Sequence, residues 1–157
     1  MEEKIIVVVI DREHWLKIAS YSIAMILILL GGLIYILYRP LSLAMFYAFG
    51  ISESTGWLAF LRGHVPIDVS GWIIYALPDG LWACSYVVFI GCIWNFEFPK
   101  YLPVALIIPI IGIASEALQG IGLMPGVFDW IDVLMYFAGG SVGLIYLLIV
   151  QKQINKK

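Results

Sequence analysis

Apolar residues run through this chain in long blocks, separated by short stretches that contain Gly, Pro or charged residues. Four of these blocks are close to the ~20 apolar residues that a helix needs to cross a bilayer. The pattern predicts an all-α fold, a four-transmembrane-helix bundle with spans at about 16–38, 71–94, 101–123 and 132–150. Residues 15–151 would form a single transmembrane domain, because 157 residues leave room for one compact bundle.

The region between the first two predicted spans, 41–70, has a different pattern. It is rich in Phe, Trp and Tyr but is interrupted by Gly, Pro, Ser and charged residues. Aromatic residues mixed with polar ones are typical of the membrane–water interface. We therefore expect an external interfacial or re-entrant segment between helices 1 and 2. We also expect a cytoplasmic tail at 1–14, extended over its short apolar run at most, and a basic cytoplasmic tail at 152–157.

Composition strengthens the membrane prediction. Hydrophobic residues make up 62% of the chain and charged residues 13%, about half of the ~25% that soluble domains carry. A soluble domain of this size could not cover its surface with so few polar groups. The net charge is −2 and the basic residues form no patch, which argues against a nucleic-acid partner. Membrane lipids are the expected partners.

The distribution of Lys and Arg predicts the orientation, because cytoplasmic loops carry an excess of these residues. An even number of spans puts both termini on one side. Only Arg39 and Arg62 fall on the opposite side, so we place both termini in the cytoplasm. The other seven of the nine basic residues share the side of the termini: Lys4, Arg12, Lys17, Lys100, Lys152, Lys156 and Lys157.

With this orientation, the polar residues of the predicted spans converge on the outer face. Residues three apart on a helix are neighbours, so Glu116 pairs with Gln119. The predicted ligand-binding residues are Asp79, Glu116, Gln119, Asp129 and Asp132. Arg62 and His64, in the external segment, are the candidate positive partners.

Each of these residues also has a structural interpretation. Asp129 and Asp132 could cap the fourth span, and Asp79 follows Pro78 in what could be a turn. His64 stands alone in a loop, which is more typical of a surface residue. The position of Glu116 favours a functional role, because inserting an ionisable group inside a span costs ~2.5–3.5 kcal/mol or more on insertion scales.

Small residues follow on the fourth span. Gly139 and Gly143 have GxxxG spacing, with Gly140 beside them, and small residues let helix backbones approach closely. Packing against another span of the same chain is favoured over dimerisation, and a homo-oligomer stays open.

Together these residues resemble a known family, the VanZ-like membrane proteins. Glu116 and Gln119 match its Glu-x-x-Gln element, and Pro125-Gly126 matches its Pro-Gly turn. Asp129 and Asp132 match its acidic element, and the segment LPDGLWACSYVVFI (77–90) resembles its second block. The glycines of the fourth span match its glycine positions. Two positions differ: Val127 stands where the family has Arg after the turn, and Tyr136 stands where it has Asn.

The resemblance covers roughly 71–146 and implies a bacterial protein of the cytoplasmic (inner) membrane, linked to resistance to glycopeptides such as teicoplanin. We expect the protein to bind an envelope lipid headgroup, a polar antibiotic or a cation in an outward-facing acidic pocket. No cofactor is expected, although carboxylates could hold a divalent cation. An envelope enzyme with Glu116 or Asp79 as general base, and an accessory subunit of a transporter or membrane complex, are the alternatives.

Overall fold

A computed structural model describes residues 2–52, 56–65 and 68–156. Within these residues the chain is helical and contains no strand, which confirms the predicted all-α class. The helices are α1 (Glu2–Tyr38), α2 (Ala44–Ala48), α3 (Gly56–Arg62), α4 (Gly71–Tyr75), α5 (Leu77–Ile93), α6 (Leu102–Ala105), α7 (Ile107–Gly120) and α8 (Trp130–Ile154).

Four helical stretches are long and apolar enough to cross a membrane. They are Arg12–Tyr38, Gly71–Ile93, Leu102–Gly120 and Trp130–Ile154, and they correspond to the four predicted spans within a few residues. We call them the first to fourth stretches. The second combines α4 with α5, and the third combines α6 with α7.

Prolines account for the divisions within the second and third stretches. A proline inside a helix removes one hydrogen bond and its ring clashes with the carbonyl four residues earlier. Pro109 lies in α7, and α6 ends four residues before it, at Ala105. Pro78 lies in the first turn of α5, where a missing N–H costs little, directly after the break that follows α4.

The N-terminal segment differs from the prediction. We expected a tail at 1–14, extended over its apolar run at most, but α1 begins at Glu2 and continues without a break to Tyr38. No Gly or Pro precedes Gly31, so nothing stops a helix that is already formed from propagating towards the N-terminus. At the other end, α8 extends to Ile154, past the predicted limit of the fourth span at about 150.

Helix α5 lies at the centre of the bundle, between α1 and α8. It runs antiparallel to α1, because the Ser85 hydroxyl donates to the Ala24 carbonyl at 2.7 Å and the Trp82 indole donates to the Ile28 carbonyl at 3.2 Å. It runs parallel to α8, since Gly80 lies against Gly139 and Gly91 lies against Leu147. The core contains Ala83, Val87, Val88, Cys92 and Leu147, all less than 2% exposed.

The segment between the first two stretches packs onto the end of α1. Phe46 of α2 and Leu58 of α3 are 0% and 1% exposed, and the Phe46 ring lies 5.8 Å from the ring of Tyr35. The described helices of this segment, α2 with five residues and α3 with seven, are each too short to cross a bilayer, and its position outside the membrane stays a prediction. The helix directions bring four helix ends together at one end of the bundle. These are the carboxyl ends of α1 and α7 and the amino ends of α5 and α8.

Candidate functional site

Glu116 is the most deeply buried carboxylate of this end, with 6% of its surface exposed. Both of its oxygens accept hydrogen bonds from the chain. The Gln119 side-chain amide donates to Oε1 at 3.2 Å, and the backbone N–H of Asp129 donates to Oε2 at 3.1 Å. The first bond follows from the three-residue helical spacing, and the second ties the end of α7 to the start of α8.

Asp129 caps α8. Its Oδ1 accepts the backbone N–H of Ile131 at 2.8 Å, and its own backbone is extended, as at a helix N-cap. The Asp129 side chain therefore acts as a helix cap, which is the structural interpretation given for it above. Its backbone and the side chains of Glu116 and Gln119 form one connected unit around the turn between α7 and α8.

Asp132 lies in the first turn of α8 and, unlike Glu116, has an oxygen without a hydrogen-bond donor. Its Oδ1 is buried and accepts no hydrogen bond from any residue that the structure describes. Asp79, Glu116 and Asp129 are all close enough for their charges to act on it. A buried oxygen without a partner costs free energy, so a hydrogen-bond donor brought to this oxygen by a ligand would be stabilising.

Asp79, in the first turn of α5, lies beside Tyr136, close enough for its carboxylate to interact with the Tyr136 hydroxyl. Tyr136 follows Asp132 by four residues on α8 and therefore shares its face. Its ring lies against Gly112 of α7, where an added Cβ would be 2.5 Å from the ring. In the sequence Tyr136 was only a departure from the VanZ-like pattern. Its spacing from Asp132 was the signal that could have placed it in the site.

Arg39 is the cation of this cluster. Its charge acts on both Asp79 and Asp132, and its guanidinium lies 5.1 Å from the ring centroid of Tyr35 and 4.9 Å from that of Tyr75. Such stacking is favourable for a planar guanidinium. Its Nε is buried and donates no hydrogen bond within the described part of the chain. In the sequence Arg39 had entered only the argument about orientation, as one of the two basic residues on the outer side.

The two positive partners proposed from the sequence lie elsewhere. Arg62 donates to the carbonyls of Ile36 and Arg39, with its closest contact at 2.6 Å, so it caps the carboxyl end of α1. Partial burial lowers the pKa of Arg62 from its ordinary value. His64 Nδ1 lies 2.7 Å from the Phe60 carbonyl. Between the described residues, no ion pair joins either side chain to the carboxylates.

The glycines of α8 bring the helices of the cluster together. A Cβ on Gly139 would lie 2.0 Å from the carbonyl oxygen of Gly80, and one on Gly143 would lie 2.9 Å from Val87. Gly140 faces Pro109 of α7. These three glycines pack α8 against α5 and α7 of the same chain. This close approach places Asp132 and Tyr136 beside Asp79.

Among the residues that the structure describes, no group of three or more His, Cys, Asp or Glu side chains is arranged to hold a metal ion. A divalent cation at this end stays a prediction from the sequence.

Comparison with known proteins found no relative. No family model matches the chain, and no curated protein or solved structure matches it significantly. The resemblance to the VanZ-like proteins therefore depends on the sequence pattern described above.

Proposed function

We propose that the protein is a multi-pass membrane protein with the VanZ-like character that its sequence pattern suggests. The second stretch, Gly71–Ile93, holds 23 residues, about 35 Å of helix at 1.5 Å per residue, against a hydrocarbon core of ~30 Å. The side chains that face away from the bundle are apolar. On α1 and α8 they include Met25, Leu29, Phe137, Val142 and Ile145, all more than half exposed. Such a surface is costly in water and favourable in lipid.

The basic residues support an orientation. Lys17 and Lys100 lie at the end of the bundle opposite to the acidic cluster, near Arg12 and Lys152, whereas Arg39 and Arg62 lie at the cluster's end. By the positive-inside rule the first end is cytoplasmic and the cluster faces outward. The resemblance to the VanZ-like proteins supports a bacterial cytoplasmic membrane as the proposed location.

The outward acidic cluster is proposed to bind a positively charged group. The candidate ligands are a cation, the ammonium of an envelope lipid headgroup, or a polar antibiotic of the glycopeptide class. Asp79, Glu116 and Asp132 come from three different helices and have Arg39 as their nearby cation. The observation that carries the proposal is the buried Oδ1 of Asp132, which has no partner in the described part of the chain. A donor from a ligand would satisfy it.

Charge neutralisation tests this proposal. Purified protein in detergent is titrated with teicoplanin, with Ca²⁺, and with vesicles that contain phosphatidylethanolamine, and the fluorescence of its six tryptophans is followed. Asp132→Asn is expected to weaken the binding of at least one of the three probes about tenfold or more, since a hydrogen bond to a charged group contributes ~1.5–3 kcal/mol.

Glu97→Gln is the matched control, because Glu97 is an exposed carboxylate at the other end that pairs with Lys100. It should leave all three titrations unchanged. If Asp132→Asn and Asp79→Asn both fold and bind every probe as the wild type does, the cluster is not a ligand site.

An envelope enzyme is the second candidate function, and one observation decides between its two candidate general bases, Glu116 and Asp79. Both Glu116 oxygens already accept hydrogen bonds from the chain, so Asp79, which lies beside Tyr136, is the better general base of the two carboxylates considered. Conversion of a lipid-linked cell-wall precursor by the purified protein, abolished by Asp79→Asn and retained in Glu97→Gln, would favour an enzyme over a binding protein.

A further inference from the structure

A separate pocket lies at the same end of the bundle, where α1 is followed by α2 and α3. Its volume is about 410 Å³, within the ~300–1,000 Å³ range of small-molecule sites. Apolar side chains form most of its wall and polar groups form the rest. The lining includes Pro40, Leu41, Leu58 and Ala59 with Ser42 and Arg62.

Arg62 is the charged residue among the described residues of this lining, and the structure holds its guanidinium in place. Nε and Nη2 donate to the carbonyls of Ile36 and Arg39. Nη1 donates to no residue within the described ranges, and its N–H groups are the ones that a ligand in this pocket would contact. A guanidinium that is already ordered loses little further entropy when it binds an anion, and its planar geometry suits phosphate oxygens.

We propose that this pocket binds the phosphate of an anionic phospholipid headgroup. Three observations select this ligand. Apolar side chains form most of the described wall, which fits an amphiphile better than a free ion. Among the lining residues that the structure describes, Arg62 carries a positive charge and none is a carboxylate. The pocket directly follows Tyr38, the last residue of the first apolar stretch, where the headgroup layer lies if that stretch spans the bilayer.

The inference rests on the proposed membrane placement but not on the acidic cluster. The two sites use different residues, since Arg39 serves the carboxylates and Arg62 lines the pocket. Their failures are therefore distinguishable: variants of Asp132 test the first site, and variants of the pocket wall test the second.

The test uses full-length protein in detergent and native mass spectrometry. Phosphatidylglycerol, phosphatidylcholine and inorganic phosphate serve as separate probes, and the apparent dissociation constant of each is measured. Ala59→Phe fills the pocket from its exposed wall while leaving the Arg62 hydrogen bonds intact. We expect it to weaken phosphatidylglycerol binding about tenfold or more, and to leave the weaker phosphatidylcholine binding unchanged.

Two controls match this variant. Leu61→Phe adds an aromatic ring to the same helix outside the pocket, and Lys100→Gln removes a cation at the other end of the bundle. Both should bind phosphatidylglycerol as the wild type does. Arg62→Gln, if it folds, should lose the preference for phosphatidylglycerol.

Three results would overturn the proposal. The first is unchanged phosphatidylglycerol binding in folded Ala59→Phe. The second is equal affinity of the wild type for the two lipids. The third is binding of inorganic phosphate that depends on Ala59 while lipid binding does not, which would make the ligand a soluble anion.

Discussion

Glu116 shows how a carboxylate within an apolar helix is satisfied by neighbours that are close in sequence. Gln119 lies one helical turn away, and Asp129 lies just across the turn between α7 and α8, so both bonds are local. The burial of Glu116 is therefore coupled to the shape of this turn. In contrast, the nearby Asp132 keeps one oxygen without a partner in the described structure. Glu116 therefore has a structural role, whereas Asp132 can still accept a hydrogen bond.

This difference can be tested at Glu116. Glu116→Leu removes the acceptor of the Asp129 N–H, and an unsatisfied buried donor costs about 1–3 kcal/mol. Glu116→Gln keeps an acceptor oxygen, so it should lower the free energy of unfolding less than Glu116→Leu does. Chemical unfolding in detergent measures both. Equal stability of the Leu variant and the wild type would contradict a structural role for the Glu116 carboxylate.

Tyr136 allows a second test at this scale. Tyr136→Phe keeps the ring against Gly112 but removes the hydroxyl that lies beside Asp79. A double-mutant cycle with Asp79→Ala should give a coupling free energy of about 0.5–1.5 kcal/mol. Tyr47→Phe is the control, because Tyr47 is 85% exposed, and it should not change stability. Additive effects of the two substitutions would show that this pair does not interact.

Helix α8 connects the cluster to the rest of the bundle. Its amino-terminal turn supplies Asp132 and its next turn supplies Tyr136, while the glycines that follow set its distance from α5 and α7. The glycine face therefore determines how close the side chains of the cluster lie. A change in helix separation would alter the site without touching any of its polar residues.

Gly139→Ala tests this element. The added Cβ would lie 2.0 Å from the Gly80 carbonyl oxygen, so α5 and α8 would have to separate, and overpacking of this kind costs about 1–3 kcal/mol or more. Gly32→Ala is the matched control, because a Cβ at Gly32 meets nothing within 4 Å. Unfolding measurements should show a clear loss for Gly139→Ala and none for Gly32→Ala. The reverse order would refute this packing.

At the scale of the whole molecule, the arrangement gives the bundle two chemically different ends. One end carries Lys17 and Lys100, and the other carries the acidic cluster with Arg39 and Arg62. Between these ends, many large apolar side chains of the described residues are exposed, among them Met25, Leu29, Phe137 and Ile145. If the bundle spans a membrane, this polarity decides which end faces outward.

Accessibility labelling tests the orientation. Val127, in the turn between α7 and α8, is 87% exposed, and Glu97 lies exposed at the opposite end. Val127→Cys should react with a membrane-impermeant maleimide in intact cells, whereas Glu97→Cys should react only after permeabilisation. The wild type is the blank, because Cys84 and Cys92 are both buried. Labelling with the reverse pattern would invert the proposed topology.

The sequence by itself determined the features that depend on local composition. Four apolar blocks were sufficient to predict four helical stretches, and the three-residue spacing of Glu116 and Gln119 was sufficient to pair them. The prediction for 1–14 was wrong where it allowed extended backbone, because β-branched residues bias a chain towards strand only weakly and a long uninterrupted helix overrides that bias.

Only the tertiary structure decided which distant residues share the site. The sequence offered Arg62 and His64 as positive partners and did not single out Arg39, although all three follow the first span. The choice depended on how α3 packs on the carboxyl end of α1, where the carbonyls of Ile36 and Arg39 bind Arg62 and leave Arg39 to the carboxylates. Tyr136 joined the site because Gly112 makes room for its ring. Such contacts join residues far apart in the chain, and no local pattern encodes them.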